Sequence, residues 1–249
     1  MAETQPDGLL TRAISLHENG EFDDASALYV QILSSQPKNT DALHLLGLIR
    51  QQSGQFDEAR ELLKKAVSLD PTVTAFRANF ATALLEQERF KEAAKQFRRV
   101  LKDEPDKIQA RFCLATAEHE LGRYEEAIAN YRIVLKAQPS LLEAYNNLGF
   151  ALMEVKKFKE AAQAFHSSLE KKNDDPEVHC ALGVALEGQG LMDEAIVSYR
   201  QATALGPHYD KAHASLLSAL ARRASAIEPS QGSSAYKGVD PEVLTFRAL

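Results

Sequence analysis

The chain has no tryptophan, only three methionines and only two cysteines in 249 residues. Cys113 and Cys180 form no CxxC pair and are too few for a disulfide framework, so a small stapled secreted domain is excluded and a reducing compartment is expected. Basic excess is missing as well. With 29 Lys and Arg against 35 Asp and Glu, the net charge is -6, the wrong sign for a protein whose main partner is nucleic acid. Long apolar runs are absent too. The run Leu45 to Ile49 falls far short of the roughly 18 residues of a membrane span, so no membrane insertion is expected. The start, MAETQPDGLL, carries two acids, no basic residue before Arg12, no apolar core of a signal and no nearby cysteine for lipid attachment. A cytoplasmic location is the expectation. What is present, 45% hydrophobic and 26% charged residues, is an ordinary globular composition.

A period of 34 residues organises the chain. Pro37, Pro71, Pro105 and Pro139 stand 34 apart, and Pro207 falls two periods later. The skipped slot is Asn173; three residues on, Pro176 follows Asp174 and Asp175, which is cap and first-turn chemistry with the break displaced. Twelve residues before each slot stand Ala25, Ala59, Ala93, Ala127, Ala161 and Ala195. Such a column arises by chance on the order of once in a million. An aromatic column runs Phe22, Phe56, Phe90, Tyr124, Phe158 and Met192, and a small-residue column runs Ala13, Gly47, Ala81, Ala115, Gly149 and Gly183. Gly20, Gly54, Gly122 and Gly190 mark a turn, whose other two occupants are Glu88 and Lys156.

These columns predict pairs of antiparallel helices, for example about Asp41 to Gln52 and about Asp57 to Leu69, joined at the glycine. Small residues let two helix axes approach closely, while positions such as Phe56 and Leu63 fill the space between units. One unit buries too little alone, so neighbours must stack. On GQFDEARELLKKAVSLDP at 54 to 71, GRYEEAIANYRIVLKAQP at 122 to 139 and their counterparts, the chain resembles the tetratricopeptide repeat (TPR) family. The resemblance implies an all-α fold, a right-handed superhelical solenoid of six helix-turn-helix repeats over about 6 to 209. DKAHASLLSALARR at 210 to 223 reads as the capping helix, so the solenoid is expected over 1 to 223 and a linker with a short C-terminal segment over 224 to 249. The first unit is weak: Arg12 sits in the column of Leu46, Phe80 and Leu114.

No residue pattern points to catalysis. There is no glycine-rich phosphate loop, no nucleophile elbow and no strand-like stretch to carry either, so no enzyme activity and no cofactor are expected. Of the seven histidines only His17 with His119, and His179 with His213, share a column, far from the short spacing of a zinc site; no metal is expected. Acid pairs at Asp23 and Asp24, Asp57 and Glu58, Glu125 and Glu126, and Asp193 and Glu194 open second helices, where the helix dipole favours them.

The remaining candidate is a surface. In the TPR family the first helix of each unit lines the concave groove, and carrying that over selects His44, Leu48, Asn79, Thr82, Phe112, Thr116, Asn146, Asn147, Phe150 and Met153 as peptide-binding residues. Asparagine is unfavourable inside a helix, so the adjacent pair Asn146 and Asn147 needs a role outside the core. O-linked N-acetylglucosamine transferases are similar in presenting an asparagine ladder along such a groove, although here Cys113 interrupts it between Asn79 and Asn147. The lysine and arginine clamp of TPR domains that hold heat-shock chaperone tails has no counterpart, since the matching column holds Leu10, His44, Ala78, Phe112, Asn146 and Cys180. Glu86, Glu120 and Glu154 form an acidic rim at helix carboxyl ends, against the dipole.

These readings together predict a non-enzymatic scaffold that takes a protein or an extended peptide in its groove. The alternative is an accessory TPR subunit serving a glycosyltransferase or methyltransferase in trans. Pro241 to Leu249 is too short to fold alone yet carries Val243, Leu244, Phe246 and Leu249, so it is expected to dock on this chain or to mediate self-association.

Overall fold

The computed structural model describes residues 6–231. Every element among them is helical, and the described residues divide into two compact units at Pro139 and Ser140. The first unit contains four helix pairs: α1 (Pro6–Glu18) with α2 (Phe22–Ser35), α3 (Thr40–Gln52) with α4 (Phe56–Leu69), α5 (Thr74–Glu86) with α6 (Phe90–Asp103), and α7 (Ile108–Glu120) with α8 (Tyr124–Ala137). The second contains α9 (Leu142–Glu154) with α10 (Phe158–Leu169), α11 (Pro176–Gly188) with α12 (Met192–Leu205), and α13 (Asp210–Gln231). Helices expected at Asp41 to Gln52 and Asp57 to Leu69 are thus found within a residue. The final helix is longer than expected: it passes Arg223 and is described as far as Gln231, so Glu228 to Gln231 belong to a helix and not to a linker. The expected docking segment Pro241 to Leu249 lies outside the described residues.

Within each pair, a small residue on the first helix meets a large one on the second. The alanine column is fully buried from Ala25 to Ala195. A Cβ added at Gly47 would lie 2.8 Å from Leu63, at Gly149 2.5 Å from Phe165 and at Gly183 2.5 Å from Tyr199. The partners form a column of their own, Tyr29, Leu63, Phe97, Tyr131, Phe165 and Tyr199, all buried. The aromatic column was expected to share that work and does so only in part. Phe22 and Phe56 keep 39% and 45% of their surface exposed, because they start the second helix at its solvent edge. Arg12 points to solvent where Leu46, Phe80 and Leu114 are buried.

The turns keep one geometry despite their substitutions. Gly20, Gly54, Gly122 and Gly190 have φ between 70° and 81°, and Glu88 and Lys156 take up the same left-handed conformation at 57° and 58°. None of the second helices has a side-chain N-cap bond. The acidic residues in their first turns compensate by facing the positive end of the dipole. At the displaced break, Asp175 caps α11 by accepting from the Glu177 and Val178 amides at 2.9 and 3.2 Å, with Pro176 in the first turn.

Two substitutions test this packing. Glu88→Gly should relieve the left-handed strain and stabilise by up to about 1 kcal/mol after the unfolded chain's added freedom is counted, seen as a higher urea midpoint. Ala93→Leu should cost about 1 to 3 kcal/mol by overpacking. A lower midpoint for the first, or an unchanged melting curve for the second, would refute the corresponding account.

Candidate functional site

In the first unit α3 touches α5 and α5 touches α7, so successive first helices form a continuous inner layer; in the second, α9 touches α11 and α11 touches α13. The expected groove residues sit on these helices. His44, Leu48, Asn79, Thr82, Phe112 and Thr116 belong to the first unit, whereas Asn146, Asn147, Phe150 and Met153 belong to the second.

In the first unit several of them are brought together. The Asn79 side-chain nitrogen lies 2.8 Å from His44 Nε2, a bond between neighbouring first helices, and the His44 ring packs on Phe76 at 4.6 Å. One amide of the expected ladder is therefore already engaged by the protein itself. Leu48 and Phe112 are half-buried against the core shared by α4 to α7. Phe112 packs edge-on against Tyr131 at 5.9 Å, and the Tyr131 hydroxyl donates to Thr116 Oγ1 at 3.2 Å. Thr82 and Thr116 each return a hydroxyl bond to the carbonyl four residues back, at 3.2 Å, which leaves their methyl groups to the face. Cys113, between these positions, is free and buried, and burial pushes its thiol pKa up.

In the second unit Phe150 packs edge-on against Phe165 at 5.2 Å, and Asn146, Asn147 and Met153 are half-buried. Asn146 Oδ1 is buried without a hydrogen-bond partner among the described residues. Leu148, Gly149 and Leu152 form the core side of α9, whereas Tyr145 is only half-buried and receives the Lys171 ammonium 5.6 Å above its ring.

At the rim, Glu86 accepts from Gln51 Nε2 at 2.6 Å, and Glu120 stands 3.2 Å from His119 Nδ1. Glu86, Glu120 and Glu154 are all exposed. Neighbouring lysines are not what holds Glu86 and Glu120.

Two polar arrangements escaped the sequence reading. Glu118 is buried on α7, where it pairs with Arg98 at 2.6 Å and accepts from Asn130 at 2.8 Å. Arg77 and Arg111 reach back to the carbonyls of Pro71 and Pro105 at 2.5 and 2.7 Å, and His179 and His213 do the same to Asn173 and Pro207 at 3.3 and 3.0 Å. All four stand in one 34-residue column, six residues after the proline slot; that register was visible, although the change from arginine to histidine hid it. Among the described residues no group of acids, cysteines and histidines has the arrangement of a metal site. No described helix is long and apolar enough to cross a membrane.

Comparisons with known proteins follow the same repeats. A family model described as the TPR domain of cytochrome c-type biogenesis protein H matches residues 27–145, and two tetratricopeptide-repeat models match 118–185 and 176–209. No curated protein matches the sequence. Among solved structures, YrrB, a TPR protein with an unusual peptide-binding site, is 16% identical with a TM-score of 0.67, over 75% of this chain and 96% of that one. PilW, a type IV pilus biogenesis factor, is 20% identical with a TM-score of 0.68, over 85% and 98%. MamA from Desulfovibrio magneticus is 18% identical with a TM-score of 0.65, over 69% and 97%.

The buried imidazole makes the inner layer pH-sensitive. Burial holds the His44 pKa below its ordinary 6.5, against the opposing pull of Asp41, so the folded state favours neutral His44. Protonation also removes the Nε2 acceptor. The unfolded chain, with a pKa near 6.5, binds the extra proton more readily, so stability should fall as the pH drops from about 7.5 and should go on falling until the lowered folded-state pKa is passed. His44→Gln should shrink that loss in urea titrations. Since burial also lowers His17, a residual slope should remain. An unchanged pH dependence would remove His44 from the account.

Proposed function

We propose that this chain, which is built of tetratricopeptide repeats, is a non-enzymatic scaffold that binds a protein segment or extended peptide along the inner faces of its first helices. The observation that carries this reading is the inner layer of the first unit. There Leu48, Thr82, Phe112 and Thr116 present half-buried side chains, the two threonines by their methyl groups, without a lysine or arginine among them, edged by the exposed carboxylates of Glu86 and Glu120. Such a face offers anchors for apolar side chains and repels acidic segments, so the favoured ligand is an extended peptide with apolar anchors and flanking basic residues.

Asparagine supplies the polar half of recognition. Asn79 keeps its amide oxygen for a backbone N–H while its nitrogen is tied to His44. On the second unit the half-buried Asn147 supplies a further amide beside Phe150 and Met153. The asparagine ladder of O-linked N-acetylglucosamine transferases is the analogy for this part of the reading. Location in a reducing cytoplasm fits two free, buried thiols. A second reading, work in cytochrome c-type biogenesis, is favoured by the family match over 27–145. Cells lacking the protein but making c-type cytochromes at normal levels would exclude it.

Peptides selected from a random displayed library by the full chain provide the test. Thr82→Arg with Thr116→Arg, and separately Asn147→Ala with Phe150→Ala, should each weaken the selected peptides at least about tenfold, about 1.4 kcal/mol, with helical circular dichroism unchanged. Full retention of binding by both double variants would place the peptide site elsewhere.

A further inference from the structure

The outer layer of the first unit holds a second cavity with a different chemistry. Between α4 and α6, over the side of α5, lies a furrow of about 610 Å³ with Phe80 and Val67 among its lining residues. Three periods later the second unit repeats it between α10 and α12, at about 620 Å³, with Leu182 and Leu169 in the same positions. The fold therefore makes the furrow, and the lining is free to vary. In the second unit Lys64 is replaced by His166, Arg77 by His179 and Arg99 by Gln201, and no lysine or arginine lines it. In the first, Arg60, Lys64, Arg77, Arg89 and Arg99 line it with only Glu61 and Glu92 as acids, in a chain of net charge -6.

These cations are not equally committed. Arg77 is structural: its side chain is 9% exposed and is held by Asp103 at 3.0 Å and by the Pro71 carbonyl. Arg60 is held by Asp57 at 2.7 Å, Glu61 at 3.3 Å and the Gln87 amide oxygen at 3.0 Å, whereas Arg89 is paired within its own helix end to Glu92 at 2.5 Å, whose carboxylate is 52% exposed. Exposed pairs of this spacing are weak and exchange readily for a better anion. Lys64 and Arg99 have no carboxylate within ion-pairing distance among the described residues. The flanking furrows of this unit lack that combination: the equivalent positions are Val30 with Lys65, and Arg98 with Ile133, and Arg98 is taken by Glu118.

We propose that the α4–α6 furrow binds a compact polyanion, a small ligand bearing a phosphoanhydride group. Lys64 and Arg99 hold its charge from the two walls, Arg89 turns from its exposed Glu92 to complete the site, and Arg60, kept in place by Gln87 and Glu61, adds positive charge beside it. Guanidinium forks match phosphate oxygens in pairs, and the cavity has the size of small-ligand sites. A peptide spreads its carboxylates along an extended chain, at about 3.3 Å or more per residue, and fits a single cavity less well.

Calorimetric titration of the full chain with inorganic pyrophosphate, at ionic strength held constant with sodium chloride, tests this. One saturable site is expected. Lys64→Gln with Arg99→Gln should weaken it about a hundredfold, two charge-assisted contacts at about tenfold each. Lys38→Gln with Lys136→Gln removes the same charge from exposed positions elsewhere and should leave affinity within about twofold. Heat that sodium chloride alone reproduces, equal losses in the two variants, or a hexaglutamate peptide that binds where pyrophosphate does not would each overturn the assignment.

Discussion

The close approach of two helices inside each repeat governs everything else in this molecule. It depends on a residue without bulk at one position of the first helix and a large side chain at one position of the second. At Gly149 and Gly183 the facing ring occupies the space in which a Cβ would stand, 2.5 Å away. Where the first helix carries alanine instead, at Ala13, Ala81 and Ala115, that methyl group is fully buried. Such contacts convert helices of only 12 to 14 residues, each marginal alone, into a pair with a shared apolar face. The pair then has one face left to bury, and the next pair in sequence supplies it.

The polar groups that remain inside are managed by a second periodic device. At four of the six breaks a carbonyl at the proline slot is met by a side-chain N–H donor six residues on, which reaches back to it. Arg77, Arg111, His179 and His213 do this with two different side chains. The shared histidine column at 179 and 213 is therefore explained without a metal: the position requires a donor of a certain reach, not an imidazole. Tyr145 stands in the same column and faces Lys171 instead.

The fold was legible because its determinants are few and steric. Ala93, Gly149 and Phe165 each admit one size of side chain, so the column repeats in the letters themselves. Even the departures were readable: Glu88 and Lys156 kept the turn, because a left-handed φ costs a non-glycine residue less than the loss of the pair would. What the letters hid was chemistry shared among unlike residues. Glu118, with its partners Arg98 and Asn130 spread over three helices, has no repeat counterpart to announce it. Asn79 looked free for a ligand, and only the structure reveals that His44, one period and one residue before it, has claimed its nitrogen. The length of α13 was also missed, since proline at 229 and serine at 230 read as a stop while the helix continues to Gln231.

Constraint and freedom therefore divide along the same columns. Positions that set the helix spacing are occupied by alanine, glycine or one large apolar chain in every repeat, and they carry no information about a partner. Positions on the inner layer and in the outer furrows are bounded only in volume, so their residue types drift between repeats, from Lys64 to His166 and from Arg99 to Gln201. A feature that recurs in all repeats is accordingly evidence about stability. A feature confined to one furrow or one stretch of inner layer, at a place where the fold tolerates something blander three periods away, requires another explanation. The packing of a repeat explains neither the uncommitted cations over Phe80 nor the amide and aromatic groups of α9, and both lie on surfaces that the stack leaves open.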